Sequence, residues 1–268
     1  MTTRSTAVYT TPKALPYSHY DVLIIGGGAA GLFCAARTAE RGKRVLVLDH
    51  ANKVGKKILM SGGGRCNFTH LHASPSNFRG KNPHFCRSAL ARFSPYEFLS
   101  RVEDAGIAWV EKTEGQLFCR DTAKDLLAML LADCERSGVM IAVESPITDY
   151  HLSQPFQVTT HGRVISADKL VVATGGLSIP KMGASGWGYE LARTAGHEIE
   201  PTRAGLVPLT LSGRPSKDFE GLAGVSTPVA LHTAGVTYRD DLLITHRGIS
   251  GPSVSYTHLR AHETSLHL

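Results

Sequence analysis

An α/β fold is what this sequence predicts, with a glycine-gated strand–helix–strand unit near its start and a β-rich part after about residue 200. Three observations carry it. The stretch "YDVLIIGGGAAGLFCAARTAERGKRVLVLD" passes from an apolar run through a glycine turn and a helical stretch into a second apolar run. A further buried run, Leu170 to Ala173, ends in "ATGG". From Pro201 the texture changes to short β-like runs, "GLVPLTL", "TPVALHT" and "LLITHRG". A chain of 268 residues holds one or two domains.

Val22 to Ile25 is short, apolar and β-branched, as a strand buried on both faces must be. Ala29 to Arg41 reads as a helix closed by Gly42. Val45 to Leu48 is the second buried strand and ends at Asp49. Such a unit is a right-handed crossover. Gly26, Gly28 and Gly31 form GxGxxG between the strand and the helix, inside a unit of about 30 residues, with an acid at the end of the second strand. That context makes the unit a dinucleotide-binding one. Gly26 permits the tight turn, Gly28 lets the backbone approach a pyrophosphate, and Gly31 lets helix and strand pack closely. The N–H groups at the helix start, across Gly27, Ala29 and Ala30, face the phosphates. Asp49 accepts from ribose hydroxyls and repels a 2′-phosphate, which disfavours NADP at this motif. The alternative is a structural glycine turn beside a solvated Asp49.

Met1 to His19 carries no acid and is rich in Ser and Thr, in imitation of a transit peptide. Pro12 and Pro16 interrupt it and no amphipathic helix emerges, so a disordered leader over 1–19 is expected. Beyond Asp49 comes "MSGGGRCNFTH", on the carboxyl side of the sheet where such folds bind ligands. Ser61, Gly62, Gly63 and Gly64 suit close backbone contact with a long ligand. Arg65 offers a cation, and Asn67 a donor and an acceptor. Lys56 and Lys57 either add charge for phosphate or form a solvated face. Cys66 is a redox thiol or a small packing residue; with no partner cysteine in sequence reach, packing is preferred.

Short helices are expected at His84 to Phe93 and Pro95 to Ala105. "IAWVEKTEGQLFC" reads as a hairpin turning at Gly115. Thr122 to Ser137 is the clearest isolated helix, with Leu126, Leu127, Leu130 and Leu131 on one face. Met140 to Glu144 and Phe156 to Thr160 read as strands, and "GWGYELARTAGH" as a glycine-started helix. The first domain thus spans 20–200 and the β-rich part 201–254.

With 42% hydrophobic and 19% charged residues, the composition is that of a soluble globular protein. The net charge of +6 favours anionic partners. The basic residues, however, lack a Lys/Arg run or zinc-finger spacing, so a bland basic surface with no nucleic-acid partner is expected. Five cysteines without a CxxC pair argue against a disulfide framework and for a reducing, cytoplasmic compartment. No apolar run approaches the roughly 18 residues of a membrane span, so no membrane partner is expected. His258, His262 and His267 in the tail lack a cysteine or carboxylate cluster, so no metal site is expected.

The segments "DVLIIGGGAAGLFCA", "GKKILMSGGGRCNFTH", "GQLFCRDTAKDLL", "LVVATGGLSIPKMGASGWGYELA" and "LLITHRGISGP" together resemble the flavoprotein family labelled BaiN-like, YhiN-like or HI0933-like, also aminoacetone oxidase-like. The resemblance runs from about Tyr20 to Val254. It implies a Rossmann-like FAD-binding domain interrupted by an inserted β-rich domain, which begins near Pro201 and is incomplete here. It implies FAD at the first motif, with Gly26, Gly28, Gly31, Asp49 and Ser61 to Asn67 as flavin contacts. Ala173, Thr174, Gly175 and Gly176 match the strand returning beneath the cofactor, and Ile147 sits where such folds touch adenine through the backbone. Relatives generally have Glu where this chain has Asp49. The tail "SYTHLRAHETSLHL" fits none of this, and its first part resembles a translated sequencing-library adapter. A truncated chain with a foreign end from about Ser255 is therefore the expectation.

The function implied is an FAD-dependent oxidoreductase acting on a small molecule, with NAD(P)H as a candidate reductant. Two alternatives remain open. One is an NAD-linked dehydrogenase, for which no catalytic His or Tyr-Lys constellation is found. The other is a non-enzymatic flavin-binding or RNA-associated protein. No catalytic acid or base is assigned; His246 is either such a group or a structural histidine. Substrate and oligomeric state are not legible.

Overall fold

The computed structural model describes residues 9–78, 80–112, 115–202, 205, 207–211, 219–233 and 236–254. Contacts divide the chain into two compact units, Met1–Ile199 and Glu200–Leu268. The first unit contains β1 (Tyr9–Thr10), β2 (His19–Ile25), α1 (Ala29–Ala39), β3 (Val45–Leu48), α2 (Lys56–Met60), β4 (Asn67–His70), α3 (Arg87–Arg92) and α4 (Pro95–Asp104). It continues with β5 (Trp109–Glu111), β6 (Gln116–Cys119), α5 (Ala123–Arg136), β7 (Met140–Ala142), β8 (Asp149–His151), β9 (Phe156–Thr160), β10 (Arg163–Val172) and α6 (Trp187–Thr194).

Seven strands form the main sheet in the order β1-β7-β3-β2-β10-β9-β8. The first five are parallel, and β9 and β8 add an antiparallel edge. This mixed sheet with covering helices is the Rossmann-like α/β architecture read from the first βαβ unit. The apolar runs of β2 and β3 are explained by burial on both faces. Val22, Ile24, Val45 and Val47 pack into one core with α1 and α5 residues. Leu23, Ile25, Leu46 and Leu48 pack into the other. α1 buries Gly31, Leu32, Ala35, Ala36 and Ala39, a stripe whose small residues let the helix lie close to the sheet. It stops at Ala39, two residues before the expected end, and Gly42 follows in the left-handed region at φ 76.

α5 starts where expected, with the Thr122 hydroxyl accepting from the Lys124 N–H at 3.3 Å. Leu126 and Leu130 are buried, and Leu127 and Leu131 pack at the core margin. α4 opens on a capping box formed by Ser94 and Glu97. Arg101 of α4 and Arg136 of α5 both pair with the buried carboxylate of Asp133, joining the two helices by charge. β4, β5 and β6 form a separate three-stranded antiparallel sheet, which contains the hairpin predicted around Gly115.

Two expectations need correction. The disordered leader begins too generously: residues 9–19 are placed, and Met1–Val8 lie outside the described residues. Tyr9 and Thr10 pair in parallel with Ile141 and Ala142, extending the sheet. Leu15 is 4% exposed within the second core. Arg163 ties the segment down by donating to the Pro12 and Tyr17 carbonyls at 3.1 and 2.9 Å. The last parallel strand is also longer than Leu170 to Ala173. β10 starts at Arg163, pairs with β9 along its first half and with β2 from Ser166 onward. Ser166, Asp168 and Lys169 break its apolar pattern, which hid the first half.

In the second unit, β11 (Leu209–Thr210), β12 (Ser226–Thr233), β13 (Val236–Thr245) and β14 (Gly248–Ser250) form an antiparallel sheet in the order β11-β14-β13-β12. The expected strands fall within it, although β13 begins six residues before Leu242. The tail from Ser255 lies outside the described residues.

Leu15→Ala should lower the unfolding free energy by about 2–4 kcal/mol, read from urea denaturation. A change near zero would return this segment to the status of a loose leader.

Candidate functional site

Four strand ends fall on one line. Ile25 pairs with Leu48 and with Val172, and Leu48 pairs with Ala142. Main-chain bonds extend the ladder one residue further: Gly26 N donates to Leu48 O at 2.8 Å, Asp49 N to Ala142 O at 2.9 Å, and Ala173 N to Ile25 O at 2.8 Å. The carboxyl edge of a parallel sheet is where α/β folds hold ligands. A cleft of about 1240 Å³ opens there. That exceeds the roughly 300–1,000 Å³ of ordinary ligand pockets and suits an extended ligand.

The glycine turn forms one part of its wall. Gly26 has φ 111, and a Cβ there would overlap the Ala173 carbonyl. A Cβ on Gly31 would overlap the Gly26 carbonyl. Gly27 is excluded from carrying a side chain by Val54. Gly28 differs: a Cβ there meets nothing within 4 Å. Gly26 and Gly31 therefore serve the fold, while Gly28 leaves open space at the N-terminus of α1. Gly26 through Ala30 line the cleft, and Gly31 lies behind them. This is a cradle that a side chain would fill, beside the exposed N–H groups and positive dipole end of a helix.

Asp49 lines the cleft with its side chain 14% exposed. Its Oδ2 accepts from Gly27 N at 2.7 Å and its Oδ1 from Ala51 N at 2.8 Å. The carboxylate thus fixes the glycine turn, as the structural reading of Asp49 has it, and also faces the cleft. Opposite, Glu144 N donates to Ala51 O and Ser145 N to Asp49 O, each at 2.8 Å. They hold Ser145, Pro146 and Ile147 against the cleft.

The glycine run Gly62–Gly64 meets a need of the backbone, while a Cβ on Gly63 would meet nothing within 4 Å. All three have positive φ, at 55°, 65° and 85°. A Cβ on Gly62 would press on Asn67 N and the Phe118 ring, at 2.8 Å each. The run is a left-handed turn that reverses the chain between α2 and β4. Ser61, Cys66 and Asn67 line the cleft; Gly62, Gly63, Gly64 and Arg65 do not. Arg65 is exposed. In the orientation its surroundings dictate, the Asn67 amide donates to Leu117 O and Thr69 O at 3.1 and 3.0 Å.

Lys57 lines the cleft and bridges to the "ATGG" segment, with Nζ 3.1 Å from Ser178 Oγ and 3.5 Å from Gly176 O. Ala173, Thr174 and Gly175 line the cleft beside it, while Gly176 sits just outside. Other wall residues carried no sequence signal as site residues. Phe33, Phe68, Phe93 and Phe98 form an aromatic cluster, with the Phe33 and Phe93 rings 5.1 Å apart. Trp187 and Lys53 also face the cleft. His246 lies in the other unit, on the turn between β13 and β14.

Cys66 does have a cysteine nearby in the fold. Cys119 N donates to Arg65 O at 2.9 Å, which sets Cys66, just before β4, and Cys119, at the end of β6, in one core. Burial pushes the Cys66 thiol up, opposed by a hydrogen bond with Ser61. Burial, with the charges of Cys66 and Asp125 behind it, pushes Cys119 up to about 11. Burial and then Asp133 push Cys134 up to about 12. Such thiols are protonated at neutral pH and inert, which favours packing over redox chemistry. Among the described residues no cluster of His, Cys, Asp and Glu could hold a metal ion, and no helix is long and apolar enough to cross a membrane.

The HI0933-like protein Rossmann domain model matches residues 20–265. A ribosomal RNA dihydrouridine synthase from Escherichia coli (strain K12) is 47% identical over 237 residues, covering 88% of this chain and 59% of that protein. A protein of the same name from Haemophilus influenzae is 44% identical, covering 87% and 59%. A 3-dehydro-bile acid delta(4,6)-reductase from Clostridium scindens is 32% identical, covering 85% and 57%. The chain thus spans less than two thirds of the length of these relatives.

Gly28→Val should keep the apo melting temperature while abolishing dinucleotide retention, whereas Gly31→Ala should destabilise the fold by about 1–3 kcal/mol. Equal stability losses for both would remove the distinction between cradle and packing glycine. At pH 8 a thiol with a pKa of about 11 is roughly one part in a thousand ionised. Iodoacetamide should accordingly spare Cys119 and Cys134 in the native chain and label them on unfolding. Labelling of either at a free-thiol rate, read by peptide mass spectrometry, would contradict their burial.

Proposed function

The chain belongs to the HI0933-like family of FAD-dependent oxidoreductases, and on that premise we propose that it is the flavin-binding part of a reductase that saturates uridine in ribosomal RNA. The observation that carries the substrate is the 47% identity over 88% of this chain to a ribosomal RNA dihydrouridine synthase. The relative named as a delta(4,6)-reductase, at 32% identity, supports the reaction type. Dihydrouridine formation and double-bond reduction share one balance: two electrons and two protons are added across C=C.

The fit of FAD rests on the cradle at Gly28, whose open space and flanking helix N–H groups suit a pyrophosphate. Gly28 to Ala30 would hold the pyrophosphate and Asp49 the ribose, the Gly26 and Gly27 N–H groups being committed to Leu48 O and Asp49. Ile147, whose main-chain groups have no partner among the described bonds, would meet the adenine edge. Ser61, Cys66, Asn67 and Ala173 to Gly175 would surround the ring system. Lys57 bridges to the segment that follows Gly175 and would hold it in place. Bound flavin would supply the hydride, and the proton would come from water or a cleft side chain. NAD(P)H is the proposed reductant, giving NAD(P)H, a proton and uridine in exchange for NAD(P)⁺ and dihydrouridine. The 32% relative favours a second reading, reduction of a small apolar enone.

The purified protein should show flavin absorbance that bleaches with NADPH under anaerobic conditions. Incubated with NADPH and ribosomal RNA lacking dihydrouridine, it should add two hydrogens to a uridine, read by nucleoside mass spectrometry. No mass gain in RNA together with reduction of a steroid dienone would overturn the RNA reading in favour of the small-molecule one.

A further inference from the structure

The modest net charge conceals an uneven distribution. Residues 50–96 contain eight of the 29 Lys and Arg and none of the 23 Asp and Glu. The rest of the chain, with 21 cations against 23 acids, is slightly acidic. Outside this stretch, Arg37, Arg44, Arg101, Arg120, Arg136 and Arg193 each pair with a carboxylate, while others such as Lys43, Lys124 and Lys169 do not among the described residues but have acids nearby in the sequence. Within it, Lys53, Arg65, Arg87 and Arg92 have no carboxylate within 4.0 Å among the described residues. Their charges face solvent without compensation.

The same stretch displays aromatic rings. Phe85 is 85% exposed, Tyr96 59% and Phe78 51%. Single phenylalanines on a surface need no explanation, but three aromatics interleaved with unpaired cations do. The stretch is also anchored to the cleft at both ends. Lys53, Lys56 and Lys57 line it at the start and Phe93 at the end. Ser61 and Cys66 to Phe68 line it as well, and Phe93 follows directly on α3.

We infer that Phe78 and residues 80–96 are a docking surface for single-stranded RNA beside the cleft, a conclusion that rests on the proposed action on ribosomal RNA. Unpaired cations track phosphates, and exposed rings stack on bases; together they are the usual platform for a single strand. A strand held there presents an unstacked base to the cleft, as an enzyme working on a base requires. A membrane surface is the poorer partner, because α3 has six residues and cannot form an amphipathic membrane helix.

The test is fluorescence anisotropy with a labelled, uridine-rich single-stranded RNA and the whole chain. Arg87→Glu with Arg92→Glu should weaken binding at least tenfold and lower the log–log salt slope by about 1.4. Phe85→Ala should weaken it by about 5- to 100-fold with the slope unchanged. Arg37→Glu with Arg41→Glu, on α1, should leave affinity within about twofold. Flavin absorbance and circular dichroism of each variant confirm an intact first unit. The surface is refuted if the wild type does not bind, if the α1 control loses as much as the α3 pair, or if phosphatidylserine vesicles displace the RNA through the same residues. Dihydrouridine formation is scored separately. Uridine reduction with equal RNA affinity in all variants sinks the surface and leaves the reaction standing; selective loss of affinity without any reduction does the reverse.

Discussion

Everything at the site depends on the close approach of Gly26, Gly31 and Ala173. The turn after β2 has room for its path only because Gly26 presents no side chain to the Ala173 carbonyl. α1 can begin where it does only because Gly31 presents none to Gly26. A methyl group at either point would push the helix from the sheet and misdirect the N–H groups that its first turn aims into the cleft. The two buried cores, one on each face of the sheet, hold this contact from both sides. Asp49 adds the polar lock by accepting from Gly27.

The parts that were legible in the sequence are those where burial is complete. β2 from Val22 to Ile25 and the whole of β3 are apolar because both faces are covered, and the pattern admits little else. α5 was legible because its leucines recur on one face between a Thr cap and a glycine. The edge was harder. A two-residue strand such as Tyr9–Thr10 has no period to detect, and it is held by pairing with a strand far along the chain. The first half of β10 was obscured because Ser166, Asp168 and Lys169 interrupt its alternation, and the legible apolar run, Leu170 to Val172, is partly exposed where Ile165 and Ala167 are buried.

Glycine was the most ambiguous signal at the site. Gly26–Gly28 and Gly62–Gly64 look alike in one dimension. The first group mixes a fold requirement with one open position facing the cleft. The second is dictated mainly by left-handed backbone angles, and the side chains that reach the cleft come from its flanks, Ser61, Cys66 and Asn67. Torsion angles, not composition, separate the two. The aromatic wall was invisible for another reason: Phe33, Phe68 and the pair Phe93 and Phe98 come from three separate parts of the chain and converge only after folding. Whole-chain charge hides its distribution in the same way, since an average over 268 residues does not show that residues 50–96 contain no acid.

The main-chain lacing beyond the strand ends also bears on kinetics. Gly26, Asp49, Ala173, Glu144 and Ser145 all donate their N–H groups to carbonyls across that row. The rim of the cleft is therefore assembled from the same cooperative network as the sheet and does not fray independently of it. A ligand arriving at such a rim meets a preformed wall and waits for no loop to organise. Its capture is governed by diffusion and orientation, and differences in affinity among ligands reside in how slowly each one leaves.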